Sequence, residues 1–152
     1  MKKIILLIVL VIISISCGNK TNQTKSQTTK TTETTKAVIN PNRIEVLYFH
    51  GKQRCITCKN IEKYSKEVVE NDFSKELKNG DIVFKVIDFS TPEGEAIADK
   101  YEISFSSLLV NKYTNGKESI NDMTEHGFAT AKEKEAEFKT GLKEKINELL
   151  KK

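Results

Sequence analysis

The chain's 152 residues hold three cysteines and two histidines, and its possible chemistry gathers in one stretch, "FHGKQRCITCKNIEKY" at 49–64. Cys55 and Cys58 lie there two residues apart, preceded by His50, Lys52 and Arg54. Two thiols at this spacing support three chemistries. They can exchange electrons: Cys55 attacks a disulfide as thiolate, and Cys58 resolves the mixed disulfide. They can hold zinc or copper. A structural zinc site takes four ligands, and Cys55, Cys58, His50 and His126 would supply four. They can also form a disulfide that only braces the fold. The positive side chains favour the first option, because nearby cations stabilise a thiolate.

The elements around the pair decide where it sits. "RIEVLYFH" (43–50) is rich in branched and aromatic residues and reads as a buried strand. Behind the cysteines, Ile61, Tyr64 and Val68 fall on one helical face. The pair therefore marks a strand-to-helix junction, with Cys55 at the helix N-terminus, where unpaired backbone N–H groups stabilise an anion. Cys58 stands one turn in, facing the same sulfur. A short helical piece, "DFSKELK", ends at the Asn-Gly of 79–80, and "DIVFKVIDF" (81–89) forms a second strand. Thr91 caps a helix opening with Pro92, and Glu93 and Glu95 complement its dipole. "SSLLVNKY" (106–113) is a third strand, and the "TNGK" turn leads to a return strand near 117–120. One closing helix over 131–152 carries Phe138, Leu142, Ile146 and Leu149 as a core stripe. Phe105 and Phe128 read first as core packing and second as lining of a groove near the cysteines. The order β-α-β-α-β-β-α indicates an α/β fold, an open sheet with helices on both faces.

The N-terminus has a different character. Lys2 and Lys3 precede the apolar run "IILLIVLVII", which is short for a bilayer span and fits the core of a signal peptide. "SISCGN" looks like a bacterial lipobox, with Ser14 in place of the usual leucine, and makes Cys17 the lipidated first residue of the mature protein. An ordinary signal peptide and a retained anchor are the alternatives. Residues 17–41, dominated by Thr, Lys, Gln and Asn, cannot build a core and form a flexible tether. Such a coil reaches about 27 Å. The expected division is a lipoprotein signal at 1–16, a tether at 17–41 and one domain at 42–152, exported and lipid-anchored to a bacterial membrane facing the periplasm or the exterior.

Charge follows the same division. The net +4 of the chain is a net +5 over residues 1–41 and a net −1 over 42–152. The basic excess therefore belongs to the signal and tether, and the domain has no electrostatic reason to bind nucleic acid. No nucleotide, flavin or haem motif is visible, so no cofactor is expected.

The CxxC at a β-α junction resembles the thioredoxin-like superfamily. The likeness extends over most of 43–150: "YEISFSSLLV" resembles the segment leading to that superfamily's cis-proline and third core strand, "YTNGK" matches the next hairpin, and Gly127 falls before the last helix. "VLYFHGKQRCITCKNIE" is similar to small exported thioredoxin-like proteins described as subunits of a nitrophenyl-compound nitroreductase. The resemblance implies a thioredoxin-like fold, a redox-active Cys55–Cys58 pair and a protein thiol or disulfide as partner. Any reductase role would take its cofactor from another subunit. Three features depart from the pattern. Ser107 replaces the cis-proline, which removes a residue that tends to keep metals off the cysteines and favours a trans bond. The first strand lacks the buried aspartate, Glu45 lying too far back. Ile56-Thr57 stands between the cysteines in place of Gly-Pro.

Overall fold

The computed structural model describes residues 40–151. The signal segment, Cys17 and the tether as far as Ile39 lie outside the described residues. Asn40 and Pro41, assigned to the tether from sequence, are already bound to the domain. Asn40 Nδ2 donates to Asp81 Oδ1 at 2.9 Å, and the Pro41 carbonyl accepts from Gly116 N–H at 2.9 Å.

Strand β1 (Ile44–His50) lies between β2 (Ile82–Asp88), which runs parallel to it, and β3 (Ser107–Thr114), which runs antiparallel. The short β4 (Lys117–Ser119) extends the four-stranded mixed sheet to the order β2-β1-β3-β4. The hairpin between β3 and β4 turns at Asn115 and Gly116, both at positive φ (52° and 79°), as the Asn-Gly pair required. Helix α1 (Ile56–Asp72) and the short α2 (Ser74–Asn79) connect β1 to β2, and α3 (Pro92–Lys100) connects β2 to β3.

A central strand covered on both faces should be largely apolar, and β1 is, apart from the terminal His50 and from Glu45, whose buried carboxylate is paired with Arg43 and Lys85. Ile44, Val46 and Tyr48 face one side with Ile61, Val68 and Val69 of α1. Leu47 and Phe49 face the other with Ala98 of α3. A slip of one residue would exchange these sets, so the pattern fixes the register. Helix α3 begins as its sequence indicated: Thr91 Oγ1 accepts from Gly94 N–H at 3.1 Å, and Pro92 is the first helical residue.

The closing segment differs from expectation. A single helix was expected over 131–152, with Gly127 in a preceding loop. Instead α4 (Thr124–Thr130) is followed by a break and then by α5 (Glu135–Lys151). Packing rather than propensity holds α4. Asn60 Nδ2 of α1 donates to the Ala131 carbonyl at 2.9 Å, and Thr124 Oγ1 accepts from Leu108 N–H at 3.0 Å. Phe138, Leu142 and Ile146 of α5 are fully buried on the α1 side of the sheet. Burial of this kind stabilises by roughly 1.5–3 kcal/mol per side chain. Among the described residues no helix is long and apolar enough to cross a membrane.

Candidate functional site

The C-terminal end of β1 delivers the chain to the cysteines. After His50, residues 51–54 turn without regular structure, and α1 starts at Ile56 with Cys55 as its N-cap. That position normally carries a Ser, Thr, Asp or Asn oxygen. Here the Cys55 sulfur takes the role, accepting from Cys58 N–H at 3.2 Å. Both cysteines are free thiols, their sulfurs 2.8 Å apart. They differ in access: Cys55 is exposed, and Cys58 is 7% exposed. One sulfur meets solvent while its neighbour waits behind it.

The Cys55 thiol ionises more readily than an ordinary cysteine. The Cys58 thiol, donating to it, contributes most, followed by the Cys58 N–H; burial opposes them weakly, and Thr57 adds its N–H and hydroxyl. Sequence reasoning anticipated the contribution of the helix end. The cationic contribution takes a different form. Arg54 is paired with Glu62, and its guanidinium lies 5.6 Å from the centre of the Tyr48 ring. Burial works against the Arg54 charge, but Glu62 and Tyr48 outweigh it and hold the guanidinium above its ordinary pKa. Lys52 is exposed and has no ion pair among the described residues. The His50 Nδ1 is 3.0 Å from the Gly51 carbonyl and 4.0 Å from the Asp88 carboxylate. The groups closest to the Cys55 charge are therefore hydrogen-bond donors of its own helix turn.

Ser107 opens β3 opposite Phe49, at the same end of the sheet as His50. It is buried, and its hydroxyl donates to the Phe105 carbonyl at 2.9 Å. The described residues contain no cis peptide bond.

The four proposed metal ligands are not brought together. No group of three or more His, Cys, Asp or Glu side chains among the described residues could hold a metal ion. His126 lies on α4 and is committed to α5: its Nε2 is 3.2 Å from the Phe138 carbonyl, its ring stacks on Phe138 at 5.8 Å, and it fills the space above Gly141. The expectation that Phe105 and Phe128 pack in the core is also corrected. They are 61% and 40% exposed, and Ile56, between the cysteines, is 62% exposed.

Three contributors went unnoticed in the sequence. Thr57 supports the Cys55 anion. Tyr48, which reads as one more core aromatic of β1, donates its hydroxyl to the Cys58 carbonyl at 2.7 Å inside the protein. Ser106 moderates the rise of the same phenol's pKa. Only the polar tip of a tyrosine in a buried strand hinted at such a role, since a buried phenol requires a partner. A cleft of about 500 Å³, lined in part by Arg43, Asp81, Lys112 and Leu149, opens near Ile44, the opposite end of β1 from His50.

No protein-family model matches the chain, and no curated protein does. A solved structure described as that of a malarial protein is similar over 55% of this chain and 83% of its own, with 20% identity and a TM-score of 0.39. At that level of similarity neither fold nor function is carried across.

Proposed function

We propose that the protein is a thiol–disulfide oxidoreductase or electron carrier of thioredoxin-like fold, working through Cys55 and Cys58 while tethered to a membrane by a lipidated Cys17. The observation that carries this reading is the unequal access of two sulfurs 2.8 Å apart at a helix N-terminus. A disulfide bond is about 2.05 Å long, so closing the ring needs an approach of about 0.8 Å and no rearrangement of the fold. A pair meant only to brace the structure gains nothing from exposing one member, nor from a helix end that stabilises its thiolate.

The exchange follows from the geometry. The Cys55 thiolate attacks one sulfur of a partner's disulfide, forming a mixed disulfide and releasing the partner's other sulfur as thiolate. Cys58 then loses its proton to solvent and attacks the Cys55 sulfur. The Cys55–Cys58 bond forms, the mixed bond breaks, and the partner's second thiolate leaves. The partner is reduced by two electrons and the protein is oxidised by two; run backward, the sequence oxidises a dithiol. The exposed Ile56 next to Cys55 gives the site an apolar neighbour suited to a protein partner over a small ion. Export keeps such a pair in a compartment where disulfides persist. The similarity to nitroreductase subunits is compatible with an accessory role in which another chain carries the cofactor.

The test is Cys58→Ser in the full chain. Cys55 should then remain joined to a disulfide-bearing partner or model peptide as a mixed disulfide visible by mass, whereas the unsubstituted chain should release it and close its own ring. Failure of both proteins to form any adduct at Cys55 would refute the reading.

A further inference from the structure

Outside the two sulfurs, one buried group reaches the backbone of the pair from within the sheet. Tyr48 is fully buried in β1, yet its hydroxyl reaches the site and donates to the Cys58 carbonyl at 2.7 Å. The guanidinium of Arg54, which precedes the pair, lies 5.6 Å from the centre of the Tyr48 ring, and Arg54 and Ser106, which precedes β3, both moderate the rise of the phenol's pKa. Arg54 is in turn held by Glu62, two turns further along α1. The phenol thus ties β1 to the first turn of α1 beneath the Arg54 guanidinium, and it does so at Cys58 rather than at Cys55.

We infer that Tyr48, through its bond to the Cys58 carbonyl, is a positioning residue for the second half of the exchange, keeping Cys58 aimed at the Cys55 sulfur while Cys55 is bound to a partner. The inference rests on the redox reading above and adds a residue to it. While both thiols are free, the Cys58 N–H···Sγ Cys55 bond helps hold the turn. Once Cys55 is in a mixed disulfide, its sulfur is a poorer acceptor and that restraint weakens. The Tyr48 bond to the Cys58 carbonyl does not involve Cys55 and survives the change. Burial, with the neighbouring Cys58 next, pushes the phenol up to about 12, so it remains a neutral donor throughout the range in which thiols ionise. Tyr48 is no proton acceptor in the step; the Cys58 proton leaves to solvent. Placement of the attacking sulfur is what the phenol supplies, and small errors of placement are costly in rate.

The test separates the two half-steps with the aromatic disulfide dithiobis(nitrobenzoate), in the full chain carrying Cys17→Ser so that only the pair reacts. Attack by Cys55 releases one nitrothiolate, and closure by Cys58 releases the second; both absorb, and stopped flow resolves them. Tyr48→Phe keeps the ring and removes the hydroxyl. It should leave the first phase within twofold and slow the second about tenfold. Ser106→Ala, which spares the core ring, should slow the second phase in the same direction. Unchanged second phases in both variants would overturn the inference and leave the redox reading standing, as would equal slowing of both phases, the mark of a merely structural role. Release of only one nitrothiolate by the parent, with no closed ring by mass, would overturn the redox reading itself.

Discussion

The contact between His126 and Gly141 offers a prediction whose sign depends on the structure. In an exposed helix interior, Gly→Ala stabilises by about 0.5–1 kcal/mol because alanine loses less backbone entropy. At Gly141 the added Cβ would stand 2.4 Å from His126 Cε1 and 2.5 Å from its Nε2, a distance no such pair tolerates. The ring must leave. It would give up its bond to the Phe138 carbonyl, about 0.5–1.5 kcal/mol, and its stacking on Phe138, about 0.5–1.5 kcal/mol. Set against the helix gain, Gly141→Ala should destabilise by about 1 kcal/mol. With His126→Ala already in place the Cβ meets no ring, and the same substitution should stabilise by about 0.5–1 kcal/mol. The coupling between the sites is then about 2 kcal/mol, well above the scatter expected for independent sites. Urea unfolding of the four proteins, followed by circular dichroism, measures it. A Gly141→Ala effect of the same sign and size in both backgrounds would show that His126 does not occupy this space and would reopen its availability as a ligand.

Glu118 carries the clearest pH signature. Its carboxylate accepts from Lys100 (2.8 Å), Tyr101 (2.5 Å), Tyr113 (2.6 Å) and Asn111 (2.9 Å). Burial pushes its pKa up, but these donors prevail and bring it from an ordinary 4.5 down to about 2. A depressed carboxyl stabilises the fold fully above its unfolded value and loses that contribution as pH falls toward the folded one. Stability should therefore decline between pH 4.5 and about 2 on account of this group, and Glu118→Gln should flatten that part of a urea-midpoint-against-pH curve; an unaltered slope would refute it. Gly94→Ala places a Cβ 2.0 Å from the Asp88 carbonyl oxygen, part of the backbone at the end of β2. Overpacking of this kind costs about 1–3 kcal/mol, so a urea midpoint equal to that of the parent would contradict the close approach of α3 to β2.

Local signals accounted for much of the fold. The apolar run of β1, the Thr91-Pro92 start of α3 and the Asn-Gly hairpin each work through neighbours in the chain, and each formed as read. The junction of β1 with α1 did the same for the site and put Cys55 at a helix end. What escaped notice depends on partners distant in sequence. Arg54 is paired with Glu62 and lies over Tyr48, and no pattern in the residues around it names those partners. Tyr48 lies beside the start of β3, opposite Leu108, only because β3 pairs beside β1. Helix α4 contains Gly127 and has no side-chain cap, so its local preference is weak; contact with α1 and α5 decides it. The four-ligand set was not assembled for the same reason: His126 is close to Gly127 in sequence, but its ring is spent on α5.

Alkylation of Cys55 by iodoacetamide across a pH series, in the full chain carrying Cys17→Ser and again with Cys58→Ala added, tests the central claim most directly. A hydrogen bond to a charged group contributes about 1.5–3 kcal/mol when buried, and solvent at this exposed sulfur reduces that by about half or more. The account predicts that Cys55 reacts at lower pH than free cysteine, that Cys58 is protected by its burial, and that Cys58→Ala lowers the Cys55 rate near neutrality about three- to tenfold. A Cys55 that titrates like free cysteine in both proteins would contradict it.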